Sequence, residues 1–127
     1  MAKILLIEDD SQVRETLQLM LEKKQHQVTP AANGVEGLEM LNTFLPDVVI
    51  TDILMPEKEG LEVIRELRIT HPVLPVIAIS GGGMSMGPEL CLRIAKQLGA
   101  QLVLMKPFTL QELNSAIEKV LSPLSSQ

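Results

Sequence analysis

Two rhythms of apolar residues alternate along the chain. Short apolar runs occur at "KILLI" (Lys3–Ile7), "DVVIT" (Asp47–Thr51), "PVIAI" (Pro75–Ile79) and "QLVLM" (Gln101–Met105), with a weaker one at "HQVTP" (His26–Pro30). Runs of this length predict strands covered on both faces. Between them the apolar positions recur every three or four residues: Val13, Leu17, Met20 and Leu21; Val35, Leu38, Leu41 and Leu45; Leu61, Ile64 and Leu67; Leu90, Ile94 and Leu98; Leu110, Leu113, Ile117 and Val120. That spacing places each set on the inward face of a helix. The punctuation agrees. Asp10-Ser11 and Thr109 can cap helix N-termini, Asn33-Gly34 makes a turn, Gly99 stops the fourth helix and Ser122-Pro123 the last.

Five strands, each followed by a helix, predict an α/β fold with a parallel sheet, helices on both faces and right-handed crossovers. Strand order is not legible in one chain, but a doubly wound domain of this length suits the flavodoxin-like order 2-1-3-4-5. The 127 residues make one domain of ordinary size. Residues 1–121 are expected to form it and 122–127 a short C-terminal tail, with no repeat, no linker and no room for an output domain.

Composition narrows the function. The chain is 46% apolar and 21% charged, and its longest apolar runs are only strand length, so no membrane helix is expected. "MAKILLIEDD" is too short and too acidic for a secretory segment, and a cytoplasmic location is expected. The single cysteine, Cys91, cannot form an internal disulfide and fits a reducing compartment as inert packing. The net charge is −5 with no basic run, which argues against direct nucleic-acid binding. With no Trp or Tyr, and only Phe44 and Phe108, base-stacking platforms are missing too.

Ligands of such sheets bind beyond the carboxyl ends of the strands. Those ends carry Glu8 and Asp9 after the first strand, Asp52 after the third, Ser80 after the fourth and Lys106 after the fifth. A buried strand that ends on a carboxylate asks for a partner, because an unpaired charge is costly to remove from water. Three converging carboxylates are naturally compensated by a divalent cation, and an all-oxygen site with few protein ligands suits Mg²⁺. With a metal and a lysine at hand, one carboxylate can attack phosphorus and form an acyl phosphate. Asp52, alone at the middle strand, is the best candidate nucleophile. Glu8 and Asp9 are placed to hold metal, Lys106 to balance charge and Ser80 to hydrogen-bond a phosphoryl oxygen.

These pieces resemble the receiver domain of two-component response regulators. They are "KILLIEDD" for the acidic pair, "DVVITDILMPEKEG" for the phosphoacceptor and its loop, "VIAISG" for the switch hydroxyl and "KPFT" for the lysine. Singly each is weak; together, in the family's order and across roughly residues 3 to 121, they are highly specific. The resemblance implies that Asp52 accepts a phosphoryl group from a sensor histidine kinase or a histidine phosphotransfer protein. It implies a Mg²⁺ site at Glu8, Asp9 and Asp52, with the Leu54 backbone carbonyl as a further ligand. It also implies that Lys106 contacts the phosphoryl group, often across a cis peptide to the following proline, here Pro107. Ser80 would be drawn toward the phosphate on activation. The expected function is that of a stand-alone receiver, a signalling domain rather than an enzyme, acting by protein contact or onward phosphotransfer.

Three departures qualify that picture. Receivers usually carry an aromatic residue three positions before the lysine, and here it is Val103. Read-out is therefore expected from the loop after the fourth strand and its helix rather than from a swinging ring. That loop, "GGGMSMGPEL", is long and carries Gly81, Gly82 and Gly83, which permit positive φ; Met84 and Met86 offer an adaptable apolar patch, or the loop is a plain connector. Leu54 and Gly82 occupy positions that in the family influence hydrolysis, and neither side chain can orient water, so slow dephosphorylation is expected.

Blander readings compete. Glu8 and Asp9 could merely cap the first helix, Ser80 could be a turn residue and Lys106 a surface lysine, while His26 and His71 are expected at the surface. "GGGMSMG" lacks the third glycine of a dinucleotide fingerprint and the Lys-Ser/Thr of a P-loop. A dehalogenase-type phosphatase needs a second Asp where Leu54 stands. The remaining rival is a receiver-like interaction module that is never phosphorylated.

Overall fold

The computed structural model describes residues 2–53, 59–80 and 88–122. Five parallel strands, β1 (Lys3–Ile7), β2 (Gln27–Ala31), β3 (Val48–Asp52), β4 (Val76–Ser80) and β5 (Leu102–Met105), lie in the order β2-β1-β3-β4-β5. Five helices connect and follow them: α1 (Ser11–Lys23), α2 (Gly34–Met40), α3 (Glu59–Thr70), α4 (Pro88–Leu98) and α5 (Leu110–Leu121). This is the flavodoxin-like doubly wound arrangement expected from the alternation. β3 and β4 are buried at every position, as strands sandwiched between two helical layers must be.

Alternate residues of each strand feed two cores. Leu5, Val49, Val76 and Ala78 pack with Val63, Ile64, Leu67 and Ala95 of α3 and α4. Ile4, Leu6, Ile50, Ile77 and Ile79 face Leu17 and Leu21 of α1 and Leu113 and Ile117 of α5. Local sequence fixes the helix ends. Asp10 Oδ1 accepts from the Gln12 and Val13 amides at 2.9 and 3.2 Å, and Asn33 Oδ1 accepts from Glu36 at 2.8 Å. Thr109 and Glu112 form a reciprocal capping box at the start of α5.

Four expectations need correction. Val35 and Leu45, read as inward, are 64% and 65% exposed. The face of α2 that meets the sheet is built instead on buried Gly34 and Gly37. A Cβ on Gly37 would lie 2.6 Å from Ile7 Cδ1, so the glycine side permits the closest approach and turns Val35 outward. Leu45 lies beyond the end of α2, where the helical period no longer applies. Leu90 is 47% exposed, because α4 presents fully buried Ala95 to the core.

His26 is the fourth. It is buried, with the Ala2 amide donating to Nδ1 at 2.9 Å and Nε2 lying 2.8 Å from Asn114 Oδ1. Because Nδ1 accepts, Nε2 carries the proton and donates to Asn114, tying the start of β1 to α5. His71, with Nδ1 2.8 Å from Thr70 Oγ1, stays near the surface as expected. The side chains of Leu61 and Cys91 lie outside the described residues. No helix among the described residues is long and apolar enough to cross a membrane.

Candidate functional site

Parallel pairing brings distant residues to one edge. Thr51 pairs with Ile7, Asp52 with Ile79 and Ser80 with Met105, so the ends of β1, β3, β4 and β5 lie side by side. Glu8 follows β1, held by its amide to the Ala31 carbonyl at 3.1 Å, and Lys106 follows β5, its amide donating to the Ser80 carbonyl at 2.8 Å. The next peptide, Lys106–Pro107, is cis.

Glu8, Asp52 and Ser80 are buried, Asp9 is exposed and the Lys106 side chain is one-third exposed. One carboxylate oxygen from each of Glu8, Asp9 and Asp52 falls within 4.8 Å of the others. Lys106 Nζ lies 3.4 Å from Asp52 Oδ2 and 3.9 Å from Glu8 Oε1. Burial first, and then the charge of Asp52, push the Glu8 carboxyl up to about 8.

The neighbouring acids divide their tasks. Asp10 caps α1, which relieves Glu8 and Asp9 of that role. Glu8 Oε2 accepts the Asp10 amide at 3.1 Å, while Glu8 Oε1 is buried without a hydrogen-bond partner among the described residues. Ser80 Oγ is likewise buried and unpartnered among them. A carboxylate oxygen without a hydrogen-bond partner among the described residues and three converging acids fit a hard divalent cation.

The five strand-end residues anticipated from sequence are thus brought together. Val103, paired with Ala78, is half-buried against the α3–α4 core. Leu54, Gly81, Gly82, Gly83, Met84 and Met86 lie outside the described residues. Sequence reasoning missed Arg14, whose Nη1 donates to the Glu8 carbonyl at 2.7 Å and approaches the Asp9 carbonyl at 3.5 Å. A signal was present. A cation near the N-terminal end of a helix opposes the macrodipole and needs a local reason to be there. Beside Lys106, an open groove of about 780 Å³ is lined by Val13, Leu17, Met20, Pro107 and Phe108 among others.

Fold and site together describe one class of domain: a doubly wound sheet with an acid cluster, a hydroxyl and a lysine at its carboxyl edge. The family model of the response regulator receiver domain matches residues 4–118, and the chain belongs to that family. It is 37% identical over 120 residues to response regulator MprA of Mycobacterium ulcerans (strain Agy99) and 38% identical to that of Mycobacterium leprae (strain TN). In both cases the match covers 94% of this chain and 50% of the relative, so the chain spans about half the length of these relatives. Among solved structures, a receiver domain protein from Clostridium thermocellum superposes with a TM-score of 0.85 at 34% identity, covering 95% of this chain and 94% of that one. The receiver domain of NtrX from Brucella abortus gives 0.86 at 28% identity, covering 94% and 98%.

Proposed function

We propose that this receiver takes a phosphoryl group onto Asp52 from the phosphohistidine of a sensor histidine kinase or a phosphotransfer protein. The observation that carries the reading is the placement of buried Asp52 beside Glu8 and Lys106, with Ser80 Oγ, buried and unpartnered among the described residues, at the end of the adjacent strand. A carboxylate oxygen of Asp52 attacks phosphorus; the phosphorus–nitrogen bond of the donor breaks and an acyl phosphate forms. Lys106 leaves its ion pair with Asp52 to follow the charge as it moves onto the phosphoryl oxygens. Ser80 Oγ, which has no partner among the described residues, donates a hydrogen bond to one of them.

Glu8, Asp9 and Asp52, with the Leu54 carbonyl, would hold Mg²⁺, whose bound charge neutralises the phosphoryl oxygens. Signalling then passes by protein contact or by onward transfer to another histidine. With Leu54 and Gly82 unable to orient water, the acyl phosphate is long-lived; decay within seconds in Mg²⁺ would contradict this.

Intact-protein mass after incubation with acetyl phosphate, with and without Mg²⁺, tests the reading. A Mg²⁺-dependent gain of one phosphoryl group in the wild type that vanishes in Asp52→Asn is expected. If neither acetyl phosphate nor phosphohistidine donors give that gain, the chain works as an interaction module without phosphorylation.

A further inference from the structure

The ladder between β1 and β3 ends at Ile7 and Thr51, so the Glu8 carbonyl lies just beyond the last strand pair. Its donor comes instead from Arg14, in the second turn of α1. A single nitrogen, Nη1, donates to the Glu8 carbonyl at 2.7 Å and lies 3.5 Å from the Asp9 carbonyl. Two consecutive carbonyls directed at one cation set the orientation of both peptide planes, and hence the directions in which the Glu8 and Asp9 side chains leave the chain. The segment is fixed on its other side as well, because Asp10 is bound through Oδ1 to the first turn of α1 and through its amide to Glu8 Oε2.

Arg14 is half-buried, and among the described residues its hydrogen bonds go to these backbone carbonyls rather than to any carboxylate. A surface ion pair therefore does not explain it. Its position near the N-terminal end of α1 opposes the helix dipole. What offsets that cost is the pair of carbonyls belonging to the two acids that follow β1.

We propose that Arg14 is a positioning residue for the metal site: by gripping the Glu8 and Asp9 carbonyls it holds their carboxylates at the spacing from Asp52 that a divalent cation requires. The inference rests on the reading of Glu8, Asp9 and Asp52 as a cation site. Outer contacts that orient metal ligands typically contribute about tenfold to a hundredfold in affinity.

The experiment is a Mg²⁺ titration without any phosphoryl donor, followed by amide chemical shifts, on the wild type, Arg14→Met, Arg14→Lys and Lys23→Met. The expected result for Arg14→Met is an affinity weakened by about tenfold or more. Lys23→Met removes the same charge from the far end of α1 and should leave the affinity unchanged. An Arg14→Met protein with lowered thermal stability but wild-type affinity overturns the proposal, since the contact is then only a chain brace. An equal loss in Lys23→Met also overturns it, by assigning the effect to net charge. If Arg14→Met does not fold, Arg14→Lys decides: the shorter ammonium should weaken affinity, and wild-type affinity there removes any need for the guanidinium. A wild type that gives no Mg²⁺ response removes the cation-site reading itself, an outcome distinct from a wild-type response that Arg14→Met retains.

Discussion

Lys106 Nζ lies 3.4 Å from Asp52 Oδ2, and the same ammonium is 3.9 Å from Glu8 Oε1. One partly exposed cation thus serves two buried acids. Lys106→Met should slow phosphorylation by acetyl phosphate by about a hundredfold at saturating Mg²⁺, the usual loss when a group that stabilises transition-state charge is deleted. Apparent Mg²⁺ affinity should rise in the same protein, because the metal no longer competes with the lysine. A rate unchanged from the wild type would remove Lys106 from the transfer step.

The carboxyl of Glu8 gives a stability signature in the absence of metal. Its ordinary value is 4.5, and burial beside Asp52 pushes it up to about 8. Below the lower value the group is protonated in folded and unfolded chains alike and contributes no difference. Between the two, the unfolded chain releases a proton that the folded chain retains, so stability falls as pH rises through this window and levels off above it. Urea midpoints in EDTA across that range should show the decline, and Glu8→Gln should flatten it. Mg²⁺ should restore most at the upper end, where the acid is easiest to ionise. A wild-type profile as flat as that of Glu8→Gln would contradict the assignment.

Gly99 ends α4 at φ +118°, and a Cβ there would fall 2.4 Å from both Cγ and Cδ of Arg68. Arg68 cannot readily retreat, because its guanidinium donates to the Pro72 carbonyl at 2.6 Å and to the Leu74 carbonyl. Gly99→Ala is expected to cost about 1–3 kcal/mol from backbone strain alone, before the side-chain clash is added. Urea denaturation measures it, and a neutral result would mean that the turn and Arg68 rearrange together.

Val35 and Leu45 give the opposite expectation. Both project into solvent despite fitting an inward pattern, so Val35→Thr and Leu45→Ser should each change stability by less than about 0.5 kcal/mol. A loss typical of core truncation would restore them to the interior.

His26→Ala leaves the buried Ala2 amide without its acceptor and Asn114 without its donor. The expected destabilisation is about 1–3 kcal/mol. Because the residues share one network, His26→Ala and Asn114→Ala combined should cost less than the sum of the single changes.

The strands and the site were legible for related reasons. An apolar run ending in Asp52, or followed by Glu8 or Lys106, states both the strand and the functional edge, because parallel strands expose the same end. Helix faces were less legible where small residues set the contact. Gly34 and Gly37 carry no hydropathy signal, yet they decide which side of α2 meets Ile7. Likewise Ala95, not Leu90, faces the core from α4. His26 and Arg14 were missed because their partners are main-chain atoms and residues far away in sequence, as in the 88-residue separation between His26 and Asn114. Side-chain pattern alone does not encode such pairs.

The four strand ends that build the site are scattered from residue 8 to residue 106, and the balancing cation arrives with the last of them. Synthesis from the N-terminus therefore delivers Glu8 and Asp52 long before Lys106. A partial sheet that closed without β5 would hold two buried acids against each other with no ammonium between them. Glu8, whose carboxyl is pushed up to about 8 by burial and by Asp52, would keep its proton in such a sheet until the ammonium arrives. The last strand to be made therefore supplies the ammonium that the two buried acids share.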